Sequence, residues 1–315
     1  MAVTFPRFPL AALPTPLTRA HRLERALGAA PIWIKRDDLT GFATAGTKAR
    51  PLEFLIGDAQ DSGVTVVVAT GSPSSNFCAV AALAARAAGL DCHVLYAGDQ
   101  PTPAPYPVQL ASAAGARLCF DPTLRRDDLD AAVVAYAADI GRAAYPLPRG
   151  GATPVGALGS ACAARELAEQ FPDRWATVVM ATGSGGTQAG LVAGVVRFGL
   201  PFRVIAASVS RPVDQARAQV LTTARGCARL MGSAEPTPGD VDIRDGLGPG
   251  FGIATDDDRR SATLALWHEG LLLDDTYTAK SMTLLRHLVR NGVGSPIVYW
   301  HTGGHAAAVP RGGRE

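Results

Sequence analysis

The chain's 315 residues are 47% hydrophobic and 18% charged, the make-up of a globular protein of one large domain or two ordinary ones, which excludes a disordered or fibrous one. Its 30 Lys and Arg against 28 Asp and Glu leave a net charge of +2, and with 6% aromatics there is no electrostatic case for a nucleic-acid partner. No apolar run approaches the ~20 residues that cross a bilayer, and the opening MAVTFPRFPLAALPTPL lacks a basic-then-apolar signal pattern, so a cytoplasmic protein without a membrane partner is expected.

Short β-branched runs alternate with Ala- and Leu-rich stretches, the pattern of α/β units in a doubly wound, twisted parallel sheet with helices on both faces. In chain order, a strand is predicted over Ile32–Lys35, a helix over 51–61, a strand over 64–69, a helix over 79–88 and a strand over 92–96. A second series runs from a strand at 177–181 through a helix at 188–198 to a strand at 203–209. The proline-rich 100–107 and the Gly- and Pro-rich 147–159 read as loops, the second as a crossing between domains, and 310–315 has nothing to bury and should fray. The acids at 256–258, followed by Arg259 and Arg260, read as a solvated helix start. Cys78, Cys92, Cys119, Cys162 and Cys227 are odd in number and widely spaced, which predicts buried free thiols rather than a disulfide framework or a CxxC metal site.

Ligands of open α/β sheets bind beyond the carboxyl ends of strands, which directs attention to the loops at 44–48, 71–76, 183–187 and 301–304. GFATAGTK at 41–48 nearly matches a Walker P-loop, but that motif needs its lysine directly after the second glycine, and here Thr47 intervenes before Lys48. GSGGTQAG at 183–190 follows a predicted strand and opens a helix, as a dinucleotide fingerprint does. Yet Gln188 fills the slot of the third glycine, and no acid closes the next strand, VIAASVS. What the loop keeps is the means to hold a phosphate: backbone N–H groups around Gly183, Gly185 and Gly186, the hydroxyls of Ser184 and Thr187, and a helix N-terminus.

Lys48 precedes a helix, where partial burial and the positive helix end both lower an amine's pKa and leave it able to attack an aldehyde. A phosphate cradle without a nucleotide signature, joined to such an amine, points to pyridoxal phosphate, which carries one aldehyde and one phosphate. His301 and His305 have a helical metal spacing, but Gly303 and Gly304 break any helix between them, so no metal is expected.

PTPL at 14–17, KRDDLTG at 35–41, GTKARPLEFL at 46–55, SN at 75–76, GSGGTQAGL at 183–191, VSR at 209–211, DDTYTAKSM at 274–282 and HTGG at 301–304 follow one another along nearly the whole chain. Together they resemble the D-cysteine desulfhydrase and 1-aminocyclopropane-1-carboxylate deaminase family of pyridoxal-phosphate enzymes, of the tryptophan-synthase-β-like fold type II. The resemblance implies a large cofactor-binding domain from 1–47 and 160–315, a small domain from 48–159, a cofactor in the cleft between them, and a homodimer. It implies that Lys48 bonds covalently to the cofactor's aldehyde carbon, that Asn76 hydrogen-bonds its phenolic oxygen, and that Gly183, Ser184, Gly185, Gly186 and Thr187 hold its phosphate. Thr302, or alternatively Thr278, would face the pyridine nitrogen. Ser75 would contact the substrate carboxylate or move protons, and Tyr277 would act as acid or base. The implied activity is that of a lyase or deaminase releasing a keto acid and ammonia from a small amino acid, with β-replacement or a non-catalytic pyridoxal-phosphate carrier as alternatives.

Three positions depart from the family's pattern. Thr47 stands where the family usually has Asn, Phe77 where it often has a polar residue, and Phe251, in a GFG turn, where it has a second active-site tyrosine. Phe77 and Phe251 are the expected substrate-facing departures. Ring opening relies on positioned proton transfer worth ~10² to 10⁴ in rate, so a very poor 1-aminocyclopropane-1-carboxylate deaminase is expected.

Overall fold

The computed structural model describes residues 4–29, 31–293, 296–304 and 308. The chain begins with β1 (Leu17–Arg19), α1 (His21–Leu27) and β2 (Ile32–Lys35). It continues through α2 (Ala49–Asp61), β3 (Val66–Gly71), α3 (Asn76–Ala87), β4 (Asp91–Ala97), α4 (Tyr106–Ala113), β5 (Arg117–Asp121), α5 (Leu129–Ile140) and β6 (Ala144–Leu147). From α6 (Pro154–Gln170) it returns through β7 (Ala176–Thr182), α7 (Gly186–Phe198), β8 (Phe202–Ser208), α8 (Val213–Leu230) and β9 (Asp242–Asp245). It then passes through α9 (Asp256–Glu269) and α10 (Thr278–Arg290) to β10 (Ile297–Trp300).

Two sheets result. One has six strands in the order β1-β2-β10-β7-β8-β9, parallel except for the antiparallel β1–β2 pair, and the other has four parallel strands in the order β5-β4-β3-β6. Both faces of the larger sheet are apolar, as parallel strands covered on two sides require. Val178, Met180, Val204 and Ala206 pack with α6, α7 and α8, while the alternating Val179, Ala181, Ile205 and Ala207 pack with α1, α9 and α10. In the smaller sheet Val67, Ala69 and Val94 pack with α2, α3 and α4, and Val68 packs with Val133 and Ala137 of α5.

A buried ion network ties these layers together. Arg50 of α2 donates to Asp37 Oδ1 at 2.8 Å and to Glu166 Oε1 of α6 at 2.9 Å, and Lys35 of β2 donates to the same glutamate oxygen at 2.5 Å. Asp37 Oδ2 also accepts from Trp300 Nε1 at 2.9 Å and from Thr47 Oγ1 at 3.0 Å. Burial alone would raise the Glu166 carboxyl, but the bond and charge of Arg50, with those of Lys35, overcome it and hold it at about 2.

The structure corrects several sequence expectations. The stretch 147–159 is not loop throughout, because α6 starts at Pro154 with the Thr153 hydroxyl accepting from Gly156 N at 3.1 Å. Its glycines serve close helix packing: a Cβ on Gly159 would lie 2.3 Å from the Arg50 carbonyl oxygen, and one on Gly190 of α7 would lie 2.2 Å from that of Ala157. The expected division between 159 and 160 therefore falls inside a continuous helix. At the head of α9, Asp258 is buried rather than solvated, forming a reciprocal capping box with Thr255 and accepting from Thr283 at 2.8 Å. All five cysteines are free, but Cys162 is exposed and Cys119 half-buried. Residues 310–315 and His305 lie outside the described residues. Among those described, no helix is long and apolar enough to cross a membrane.

Candidate active site

A cavity of about 670 Å³ opens beyond the carboxyl ends of β3, β7 and β10, and every site residue predicted from the sequence lines it except Thr278, the alternative to Thr302. Lys48 ends a short turn, Gly46–Lys48, just before α2. The exit of β10 sets that turn: Thr47 N donates to the Thr302 carbonyl at 2.9 Å. Gly46 has φ 53°, and a Cβ on it would stand 2.3 Å from the same oxygen. The Lys48 amine lies 3.4 Å, and Ser184 Oγ 2.5 Å, from the point a Cβ on Gly150 would occupy, so amine and glycine loop converge there. Among the described residues no carboxylate pairs with this amine, and burial lowers its pKa from 10.5 to about 8.

Beyond β7, Gly183, Ser184 and Gly185 lead into α7, with Gly185 capping the helix at φ 96°. A Cβ on Gly183 would lie 2.8 Å from Tyr277 Cε1, and one on Gly186 would lie 3.0 Å from Ala152 Cα. Side chains are thereby kept out of this cradle. The N–H groups of the first turn of α7 have no intrahelical acceptor, and with the Ser184 and Thr187 side chains they border the cavity.

Ser75 caps α3, its Oγ accepting from Cys78 N at 3.4 Å. The amide of Asn76 is clasped by Thr44, donating from Nδ2 to the Thr44 carbonyl at 2.7 Å and accepting from Thr44 Oγ1 at 3.0 Å. One Asn76 N–H is left over for a ligand. Phe77 is buried behind the pair, with part of its surface in the cavity wall.

Tyr277 heads α10 and is fixed by buried Asp274, which accepts from Thr276 N at 2.9 Å, Tyr277 N at 2.8 Å and the Thr278 hydroxyl at 2.7 Å. Burial first, then the Asp274 charge, push the Tyr277 phenol up to about 12. Phe251 stands edge-to-face with Tyr277 at 6.1 Å between centroids, which brings the GFG turn to the cavity. Thr302 lines the cavity, whereas Thr278 is fully buried and turned to Asp274. Thr278 is therefore no alternative to Thr302 for facing a ligand.

Sequence reasoning missed Thr44, Asp274 and three arginines, Arg126, Arg149 and Arg211, all in or bonded to the cavity wall. The arginines follow β5, β6 and β8, so extending the rule of strand carboxyl ends beyond the glycine-marked loops would have found them.

This donor set fits pyridoxal phosphate: a partly neutral amine for the aldehyde, a side-chain-free cradle for the phosphate, and a fixed amide N–H for the ring oxygen. Residues 9–303 match the family described as pyridoxal-phosphate dependent enzyme. The D-cysteine desulfhydrase of Salmonella choleraesuis (strain SC-B67) is 33% identical over 319 residues, covering 96% of this chain and 95% of that protein. A crystal structure of an ACC deaminase homologue is similar with a TM-score of 0.88 and 32% identity, over 96% of this chain and 93% of that one. Serine racemase from Dictyostelium discoideum, 13% identical, shares the fold with a TM-score of 0.67 over 92% of each chain. The chain belongs to the pyridoxal-phosphate dependent enzymes and has their fold type II architecture.

Proposed function

We propose that the protein is a lyase or deaminase of a small amino acid, removing the α-proton and a β-substituent to give a keto acid and ammonia. The observation that carries this reading is the Lys48 amine, held at about 8 without a carboxylate partner and facing the glycine loop in one cavity. When bound, pyridoxal phosphate supplies the electron sink for charge developing at the substrate Cα. About a tenth of such an amine is neutral at pH 7, against ~0.03% at its ordinary value, so Lys48 is suited to bond the aldehyde and to take the Cα proton.

Gly183 to Thr187 hold the phosphate in this reading, the free Asn76 N–H meets the phenolic oxygen, and the Thr302 hydroxyl faces the pyridine nitrogen. Ser75 and the first turn of α3 orient the substrate's α-carboxylate. Tyr277, with its phenol at about 12, keeps its proton at neutral pH and acts as an acid. Phe251 beside it has no proton to give, which disfavours cyclopropane ring opening and leaves substrates with a good β leaving group. Two domains, the smaller built on β3 to β6, enclose the site, and a cytoplasmic homodimer belongs to the same reading; sedimentation equilibrium of the loaded protein checks the dimer.

Protein incubated with pyridoxal phosphate and dialysed should absorb near ~410 to 420 nm and release keto acid from D- or L-amino acids bearing β leaving groups. A featureless spectrum, or one unchanged by Lys48→Ala, overturns the assignment of Lys48. Absence of keto acid with every such amino acid overturns the lyase.

A further inference from the structure

The charge lining the cavity is not balanced. Besides Lys48, the wall carries Arg126, Arg149 and Arg211, while the one carboxylate among its described residues, Asp274, is occupied by the N–H and hydroxyl groups of residues 276–278. Arg149 is neutralised by Asp130 at 2.7 Å. Arg126 and Arg211 have no carboxylate at ion-pair distance among the described residues.

Arg126 is nevertheless held in place. Its guanidinium lies 3.9 Å over the Phe251 ring, and its Nη1 donates to the Ser210 carbonyl at 3.2 Å. Ser210 Oγ in turn donates to the Gly183 carbonyl at 2.9 Å, which ties this cation to the glycine loop. Burial, then the charges of Arg149 and Arg126, lower the pKa of Arg211, as happens when cations crowd one space.

Two anionic groups of a loaded site already have receivers, the cofactor phosphate at the glycine loop and the substrate's α-carboxylate at Ser75 and α3. We infer that Arg126 and Arg211 receive a third: an oxyanion group beyond the Cβ of the substrate, such as a sulfonate, phosphate or carboxylate. This inference rests on the lyase reading above and narrows its substrate class. Guanidinium groups match oxyanions in planar, paired hydrogen bonds, and Phe251 supplies the flat platform that fixes one of them. Where the oxyanion is itself the leaving group, the Cα–H bond gives its proton to Lys48. The Cβ–X bond then breaks with its electron pair on the departing sulfite or phosphate, and water hydrolyses the resulting enamine to keto acid and ammonium. No oxidant or reductant is needed.

The test compares loaded wild-type enzyme on both enantiomers of cysteate and O-phosphoserine with neutral β-chloroalanine, and measures calorimetric binding of aspartate, which carries the charge without a good leaving group. An anionic substrate should exceed the neutral one in kcat/KM, and Arg126→Gln with Arg211→Gln should lower that ratio at least ~10-fold and weaken aspartate binding similarly. Arg203→Gln, which removes an outer-surface pair with Asp242, should leave the ratio unaltered. Should the double variant fail to fold, the wild-type ratio must still fall as salt rises, since exposed charge attraction is screened. Turnover of β-chloroalanine with neither preference for nor binding of the anionic amino acids overturns the inference and leaves the lyase standing. Aspartate binding that depends on the two arginines, without turnover of any amino acid, overturns the lyase and supports the anion site. Sulfonate against phosphate turnover identifies the oxyanion.

Discussion

Lys35, Lys48 and Arg50 lie within 16 residues of one another in sequence, yet the two regions they serve treat charge in opposite ways. In the ion network, Lys35 and Arg50 meet Asp37 and Glu166, two cations against two carboxylates, and the pairing pins β2, α2 and α6. In the cavity a few residues away, Lys48 has no such partner among the described residues, and neither have Arg126 and Arg211. A compensated buried cation fastens secondary structure; an uncompensated one at a cavity wall receives a ligand's negative charge or, as a neutral amine, gives its electron pair to a ligand.

The contrast breaks most sharply at Lys48. Lys48→Ala should lower keto-acid release by ~10³-fold or more, because the group that bonds the cofactor and moves the proton is gone, while the cofactor-free protein keeps or gains thermal stability. Asp37→Asn should do the reverse. It leaves Arg50 short of charge in the interior and should cost about 3 to 5 kcal/mol in denaturant unfolding.

Acid and alkali should separate the regions further. Glu166, held at about 2, contributes stability that is complete above its ordinary 4.5 and lost as the pH falls toward 2. Lys48 works in the same direction but in an alkaline window. Below about 8 the folded, cofactor-free protein bears the full cost of its buried charge, and between about 8 and 10.5 the unfolded chain binds a proton that the folded one lacks, so stability rises with pH. Over that window the wild-type protein should gain about 3 kcal/mol relative to Lys48→Met, measured by unfolding at stepped pH. The smallest effect is expected at Thr44→Val, which opens the clasp on Asn76 and should weaken pyridoxal-phosphate affinity by about 1 kcal/mol in spectrophotometric titration.

The sequence discloses the cavity better than it discloses the network. Lys48, Asn76 and the Gly183 loop announce themselves because glycine, helix caps and strand ends leave local signatures, and local signatures are what adjacent letters carry. Ile32–Lys35 was legible for the same reason, an apolar run between turn residues. Asp37, Arg50, Glu166 and Trp300 make one contact set across as many as 263 residues, and no spacing rule relates them. The glycines of α6 misled in the other direction: they signal a loop when read alone, and become close-packing sites only when α7 is laid against them. Arg126 follows β5 in a charged loop with no glycine or cap signature, and only the fold turns it over Phe251.

The contact between the Gly46–Lys48 turn and the carbonyl of Thr302 bears on synthesis. β10, made last among the described strands, inserts between β2 and β7, which were translated long before it. Until that strand leaves the ribosome, the larger sheet is split and the Lys48 turn lacks the carbonyl that shapes it. A nascent chain thus holds its reactive amine and its glycine loop in an unfinished frame, and the Lys48 turn can take its final shape only after translation has passed residue 302.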